Sequence, residues 1–90
     1  MEITYGYVVR TDADPRGLPG VLEKYAENRG LTVSVTADER GIRAEYRGPG
    51  CRLEFQAVWV GDCVEISVTG KGLCGSRPTD LLERVKNYLV

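Results

Sequence analysis

Four stretches of strict apolar–polar alternation, separated by three glycine-bearing turn signals, fill the middle of this chain. Leu31, Val33 and Val35 alternate with Thr32, Ser34 and Thr36, and Ile42, Ala44 and Tyr46 alternate with Arg43, Glu45 and Arg47. Cys51, Leu53, Phe55, Ala57 and Trp59 share one face of the third stretch; Val64, Ile66 and Val68 share one face of the fourth. Successive side chains of a strand point to opposite faces, so a period of two marks strands with one buried and one open face. Asp38-Glu39-Arg40-Gly41 reads as a type I turn with glycine supplying positive φ. Gly48-Pro49-Gly50 reads as a turn whose proline presets φ, and Gly61-Asp62 as a two-residue II′ loop.

Turns and alternation together imply a register. The Gly61-Asp62 loop sets Trp59 opposite Val64, Ala57 opposite Ile66 and Phe55 opposite Val68. The Pro-Gly turn is expected to set Tyr46 opposite Cys51, Ala44 opposite Leu53 and Ile42 opposite Phe55. Every apolar residue then meets an apolar one, and a slip of one residue in either hairpin turns half of them into water. On the other face this register brings Arg43 opposite Glu54 and Glu45 opposite Arg52, expected as exposed cross-strand ion pairs.

The flanks complete the fold class. Ile3, Tyr5, Tyr7 and Val9 alternate with Thr4, Gly6 and Val8, which predicts a first strand. A loop punctuated by Asp12, Asp14, Pro15, Gly17 and Pro19 follows. From about Leu18 the spacing becomes helical, with Leu18, Val21, Leu22, Tyr25 and Ala26 on one stripe and Gly30 placed as a left-handed C-cap. A final helix is expected to begin near Ser76 or Thr79, with Pro78 in its first turn and a stripe of Leu81, Leu82, Val85, Tyr88 and Leu89. The order β-α-β-β-β-β-α over residues 1–90 predicts a single α+β domain. It combines a five-stranded antiparallel sheet with two helices on its apolar face. By element order, and over the whole chain, it resembles the TATA-binding-protein-like or helix-grip arrangement. That resemblance implies a sheet able to face DNA. A sheet that kinks DNA through the minor groove carries apolar wedges and basic residues on its open face. Here the single phenylalanine, Phe55, lies on the core face and the open-face arginines face glutamates.

Composition narrows the chemistry. Ninety residues with 42% hydrophobic and 28% charged residues suffice for one core. The net charge of −1 supplies no overall field for nucleic acid or anionic lipid, although Arg outnumbers Lys nine to three. No apolar run reaches the ~20 residues of a membrane span. Met1-Glu2-Ile3-Thr4 enters the first strand at once, so a cytoplasmic protein is expected. With no histidine, the commonest metal ligand and general base are both missing, so no metal and no cofactor are expected. Cys51, Cys63 and Cys74 match no zinc spacing, and their odd number speaks against a disulfide framework.

Three candidate sites remain. Val58, Val60 and Cys63 at the tip of the last hairpin, with Val8 on the first strand, are expected to form a small apolar patch if the first and last strands are neighbours. The first strand is also expected to be an edge, free to pair with a second copy. The loop Gly70-Lys71-Gly72-Leu73-Cys74-Gly75 lies between a strand and a helix. Lys71, Gly72, Gly75 and Arg77 are its anion-binding candidates, although an antiparallel sheet lacks the parallel unit of a dinucleotide fold. Cys74 beside Lys71 and Arg77 is the one nucleophile worth weighing, and a free, non-catalytic thiol is the expectation. The leading functional expectation is therefore a binding or assembly module, not an enzyme, that meets a protein partner or itself at a sheet edge. The alternative is nucleic-acid or phosphate-ligand binding at the Gly70–Gly75 loop.

Overall fold

A computed structural model describes all residues, Met1–Val90. Strands β1 (Glu2–Arg10), β2 (Thr32–Ala37), β3 (Gly41–Gly48), β4 (Cys51–Val60) and β5 (Cys63–Gly72) form one antiparallel sheet in the order β1-β5-β4-β3-β2. Helices α1 (Leu18–Ala26) and α2 (Arg77–Leu89) lie on one face, α1 against β2 and β3, α2 against β5 and β1. The expected α+β fold and element order are observed. The core gathers Leu18, Leu22 and Tyr25 of α1, Leu81, Leu82, Val85 and Leu89 of α2, and the inward residues of β3, β4 and β5.

The β4–β5 hairpin has the expected register: Trp59 faces Val64, Ala57 faces Ile66 and Phe55 faces Val68. Gly61 takes positive φ (64°) while Asp62 does not, as a II′ loop requires. The β3–β4 hairpin differs from expectation by two residues. Gly48 pairs with Cys51, leaving Pro49-Gly50 as a two-residue loop, so Tyr46 faces Leu53, Ala44 faces Phe55 and Ile42 faces Ala57. Gly50 at φ 69° after proline closes this tighter turn. A slide of two keeps every side chain on its face, so the core is unaffected, but all cross-strand partners change.

Two further corrections are local. Helix α1 ends at Ala26; Asn28 (φ 62°) turns the chain, and Gly30 (φ 67°) bends the connection beyond the helix instead of capping it. Gly41 has no positive φ. A Cβ there would run into the Ala57 carbonyl of β4, so close strand approach is the constraint at this position. The β2–β3 turn is held by the Asp38 carboxylate, which accepts the Arg40 and Gly41 amides at 2.8 and 3.1 Å. Those two bonds hold its pKa below the ordinary aspartate value.

Tyr46 ties sheet to helix. Its hydroxyl donates to the Leu22 carbonyl at 2.6 Å, and the residue is fully buried. Burial, first, and then the negative charge an ionised Tyr25 would bring, push the Tyr46 pKa above the ordinary tyrosine value. A pKa raised on folding gives stability that is complete below the unfolded value of about 10 and lost as pH rises beyond it. Wild type is thus expected to lose stability above about pH 10, and Tyr46→Phe to flatten that decline while costing about 0.5–1.5 kcal/mol at neutral pH, because the hydrogen bond to the Leu22 carbonyl is lost. Urea midpoints measured from pH 7 to 11 check this; parallel slopes in the two proteins would sink it.

Candidate functional site

Register determines which side chains meet on the open sheet face. Arg47, Arg52 and Lys71 lie abreast on β3, β4 and β5, with Glu2 of β1 at the end of the row. Glu45 and Glu54 face each other in the next row. The expected pairs Arg43–Glu54 and Glu45–Arg52 do not form, because the two-residue slide moves their partners away; Arg43 faces Gln56. Like charges directly opposite repel. The face relieves this along and across strands: Arg47 bridges Glu45 at 2.8 Å, and Lys71 reaches Glu54 at 3.3 Å. The Arg47 hydrogen bond, followed by its charge, keeps the Glu45 pKa below its ordinary value.

Strand β1 does lie beside β5. Val8 faces Glu65, which in turn faces Val58, so a carboxylate separates these two valines. Val60 and Cys63 pair in the next row, beside Arg10. Val8 and Val60 are well exposed, while Val58 and Cys63 are half-buried. Gly6, which has no side chain, leaves a shallow depression of about 450 Å³ between Val8, Val58, Gln56 and Ser67.

In the Gly-rich loop, Lys71 and Gly72 belong to β5. The Gly72 amide donates to the Met1 carbonyl (2.9 Å) and the Leu73 amide to the Gly50 carbonyl (2.7 Å), so neither is turned toward an anion. The Lys71 ammonium lies on the open face with Glu54, and the Arg77 amide donates to the Cys74 carbonyl. Gly75 at φ 60° turns the chain into α2. Cys74 is not a free thiol: it is disulfide-bonded to Cys51, with Cα atoms 4.9 Å apart, and only Cys63 is free. The expectation of a cysteine set without a disulfide, and of a thiol at position 74, is corrected. The signal for the bridge lay in the β4–β5 register, which places Cys51 opposite Gly72 and so within reach of a cysteine two residues on.

The sheet edge holds side chains that periodicity alone did not single out. Ile3, Tyr5 and Tyr7 point to the helix side, yet remain 42%, 37% and 44% exposed, because the two helices concentrate burial on β3, β4 and β5. The Lys86 ammonium of α2 sits 4.8 Å above the Tyr7 ring and covers it only in part. The backbone of β1 is open as well. Gly72 N–H donates to Met1 and Thr11 N–H donates to Asp62. These bonds mark odd-numbered residues as the ones that exchange hydrogen bonds with β5. The N–H and C=O groups of Glu2, Thr4, Gly6, Val8 and Arg10 therefore point away from the sheet, where no sixth strand lies.

At the other end of the sheet, a cleft of about 450 Å³ runs between Trp59, Ile42, Pro15 and Pro19, with Arg16 and Arg40 at its rim. Arg16 is occupied by the Asp14 carboxylate at 3.0 Å, and no helix of the chain is long and apolar enough to cross a membrane.

No protein-family model and no curated protein sequence matches the chain. Among solved structures it is similar to an X-ray structure of a structural-genomics target from Chromobacterium violaceum. The two are 11% identical with a TM-score of 0.49, covering 99% of this chain and 97% of that one.

Proposed function

We propose that this chain is a binding module that recognises an extended protein strand along the free edge of β1. The observation that carries the reading is the coincidence, on one nine-residue strand, of outward-pointing backbone groups and half-exposed Ile3, Tyr5 and Tyr7. Main-chain hydrogen bonds supply affinity in strand addition, and alternate side chains supply selectivity. Long edges are otherwise blunted by proline, bulges or inward charges, and β1 carries none between Ile3 and Val9. We place the module in the cytoplasm, where its one cross-link, between Cys51 and Cys74, is an exception among the proteins of that compartment.

A soluble probe peptide of alternating valine and threonine, with lysine at its ends, tests the edge. Its addition is expected to shift and protect the amides of Thr4, Gly6 and Val8 while leaving Tyr5 and Tyr7 amides, already bonded to β5, little changed. Val8→Pro is expected to abolish the effect without unfolding the chain, because it removes an outward N–H and no bond to β5. Unmoved amides at millimolar peptide would end the reading.

A further inference from the structure

We infer that the strand this edge fits is β1 of a second copy, docked antiparallel about a two-fold axis at Gly6; the inference rests on the edge-binding reading above. An isologous contact must be self-complementary, residue for residue. Only even-numbered residues present free N–H and C=O groups, so even must face even across the new ladder, and slides occur in steps of two. With Gly6 facing its own mate, Thr4 faces Val8 of the second copy and Glu2 faces Arg10, while on the helix side Tyr5 faces Tyr7 and Ile3 faces Val9.

This register matches the charged ends, the tyrosines and the central glycine of the strand. The acidic residue at one end meets the basic residue at the other, twice by symmetry. The half-exposed tyrosines meet in non-hydrogen-bonded pairs, where opposing side chains come closest. On the open face the axis passes between two glycines, so nothing obstructs it. Sliding by two residues to put Tyr5 opposite its own mate moves Glu2 opposite Val8 and leaves Arg10 beyond the pairing. Charge therefore selects among the permitted registers. Arg10 is available for the role: its contact with Asp62 is a 3.4 Å pair between side chains 80% and 69% exposed. The product is a continuous ten-stranded sheet, five strands from each copy, with the helices of both copies on one face.

Sedimentation of the full chain across concentration, at low and high salt, tests this. Wild type is expected to dimerise. Glu2→Arg and Arg10→Glu each weaken the dimer about tenfold at low salt, and the double swap recovers most of the loss. A chain that stays monomeric at millimolar concentration while the valine–threonine peptide still docks would overturn the second-copy occupant and leave the edge reading standing. A dimer in which Thr4, Gly6 and Val8 amides stay unprotected would overturn this inference. So would one indifferent to Glu2→Arg.

Discussion

Tyr25→Ala is expected to destabilise the chain by about 3–5 kcal/mol. Tyr25 stands where three elements meet. It is 1% exposed, its ring meets Tyr46 of β3 edge-on at 5.9 Å, and its hydroxyl donates to the Arg77 carbonyl at the start of α2. The guanidinium of Arg29 lies 4.3 Å from the ring centroid and that of Arg84 5.8 Å. Truncation removes the ring and opens a cavity under both helices, and it leaves the first turn of α2 without its tie to α1. Tyr25→Phe separates the two contributions. It keeps the packing and removes one hydrogen bond at 3.2 Å, so about 1 kcal/mol is expected. Tyr25 and Tyr46 touch, so their substitutions should not be additive, and a double-mutant cycle in urea should show coupling of about 0.5–1.5 kcal/mol. A Tyr25→Ala variant as stable as Tyr25→Phe would show that α1 is not held to the sheet through this ring.

The position of Tyr25 on an apolar helical stripe is visible in the spacing of Leu18, Leu22 and Tyr25, but its partners are not. The same division runs through the whole fold. Alternation assigns a face modulo two and nothing finer, so the apolar faces of β3, β4 and β5 were legible while the partners across β3 and β4 were not. Whether Gly48-Pro49-Gly50 closes as a wide turn or a two-residue loop leaves the core pattern unchanged. It decides whether Glu45 faces an arginine or another glutamate. Where a loop admits one geometry, as at Gly61-Asp62, the register was readable to the residue. The edge was legible as an edge. The exposure of Tyr5 and Tyr7 was not, because periodicity says which way a side chain points and not how far two short helices reach across five strands. In the Gly70–Gly75 loop the Gly72 and Leu73 amides are spent on the Met1 and Gly50 carbonyls, which only the tertiary path of the chain reveals.

The Cys51–Cys74 bridge should be the other large contributor. It closes a loop spanning 23 residues, and at that length removing the cross-link is expected to cost about 3 kcal/mol. For a domain of this size that is a sizeable share of a total of about 5–15 kcal/mol, and a fall in Tm of more than about 10 °C should follow. The loss should begin at one place. The bridge pins the loop after β5 to the first residue of β4, next to the Leu73–Gly50 hydrogen bond and the entry to α2, where Pro78 packs beside Gly70. Reduction should therefore loosen residues 72–78 first, and with them the Gly72–Met1 bond that anchors the start of β1. Thermal melts of wild type with and without a phosphine reductant, and of a Cys51→Ala, Cys74→Ala double variant, measure the effect. Cys63→Ser serves as the control, because that thiol is free and its loss should change nothing. Alkylation of the unfolded protein before reduction should label Cys63 alone. Labelling of all three cysteines, or a melt that a reductant does not move, would show that burial on the core face holds Cys51 and Cys74 together without a bond. The start of the binding edge depends on the bridge through Gly72 and Met1. Dimer strength should then fall under the reductant at temperatures where the core is still folded.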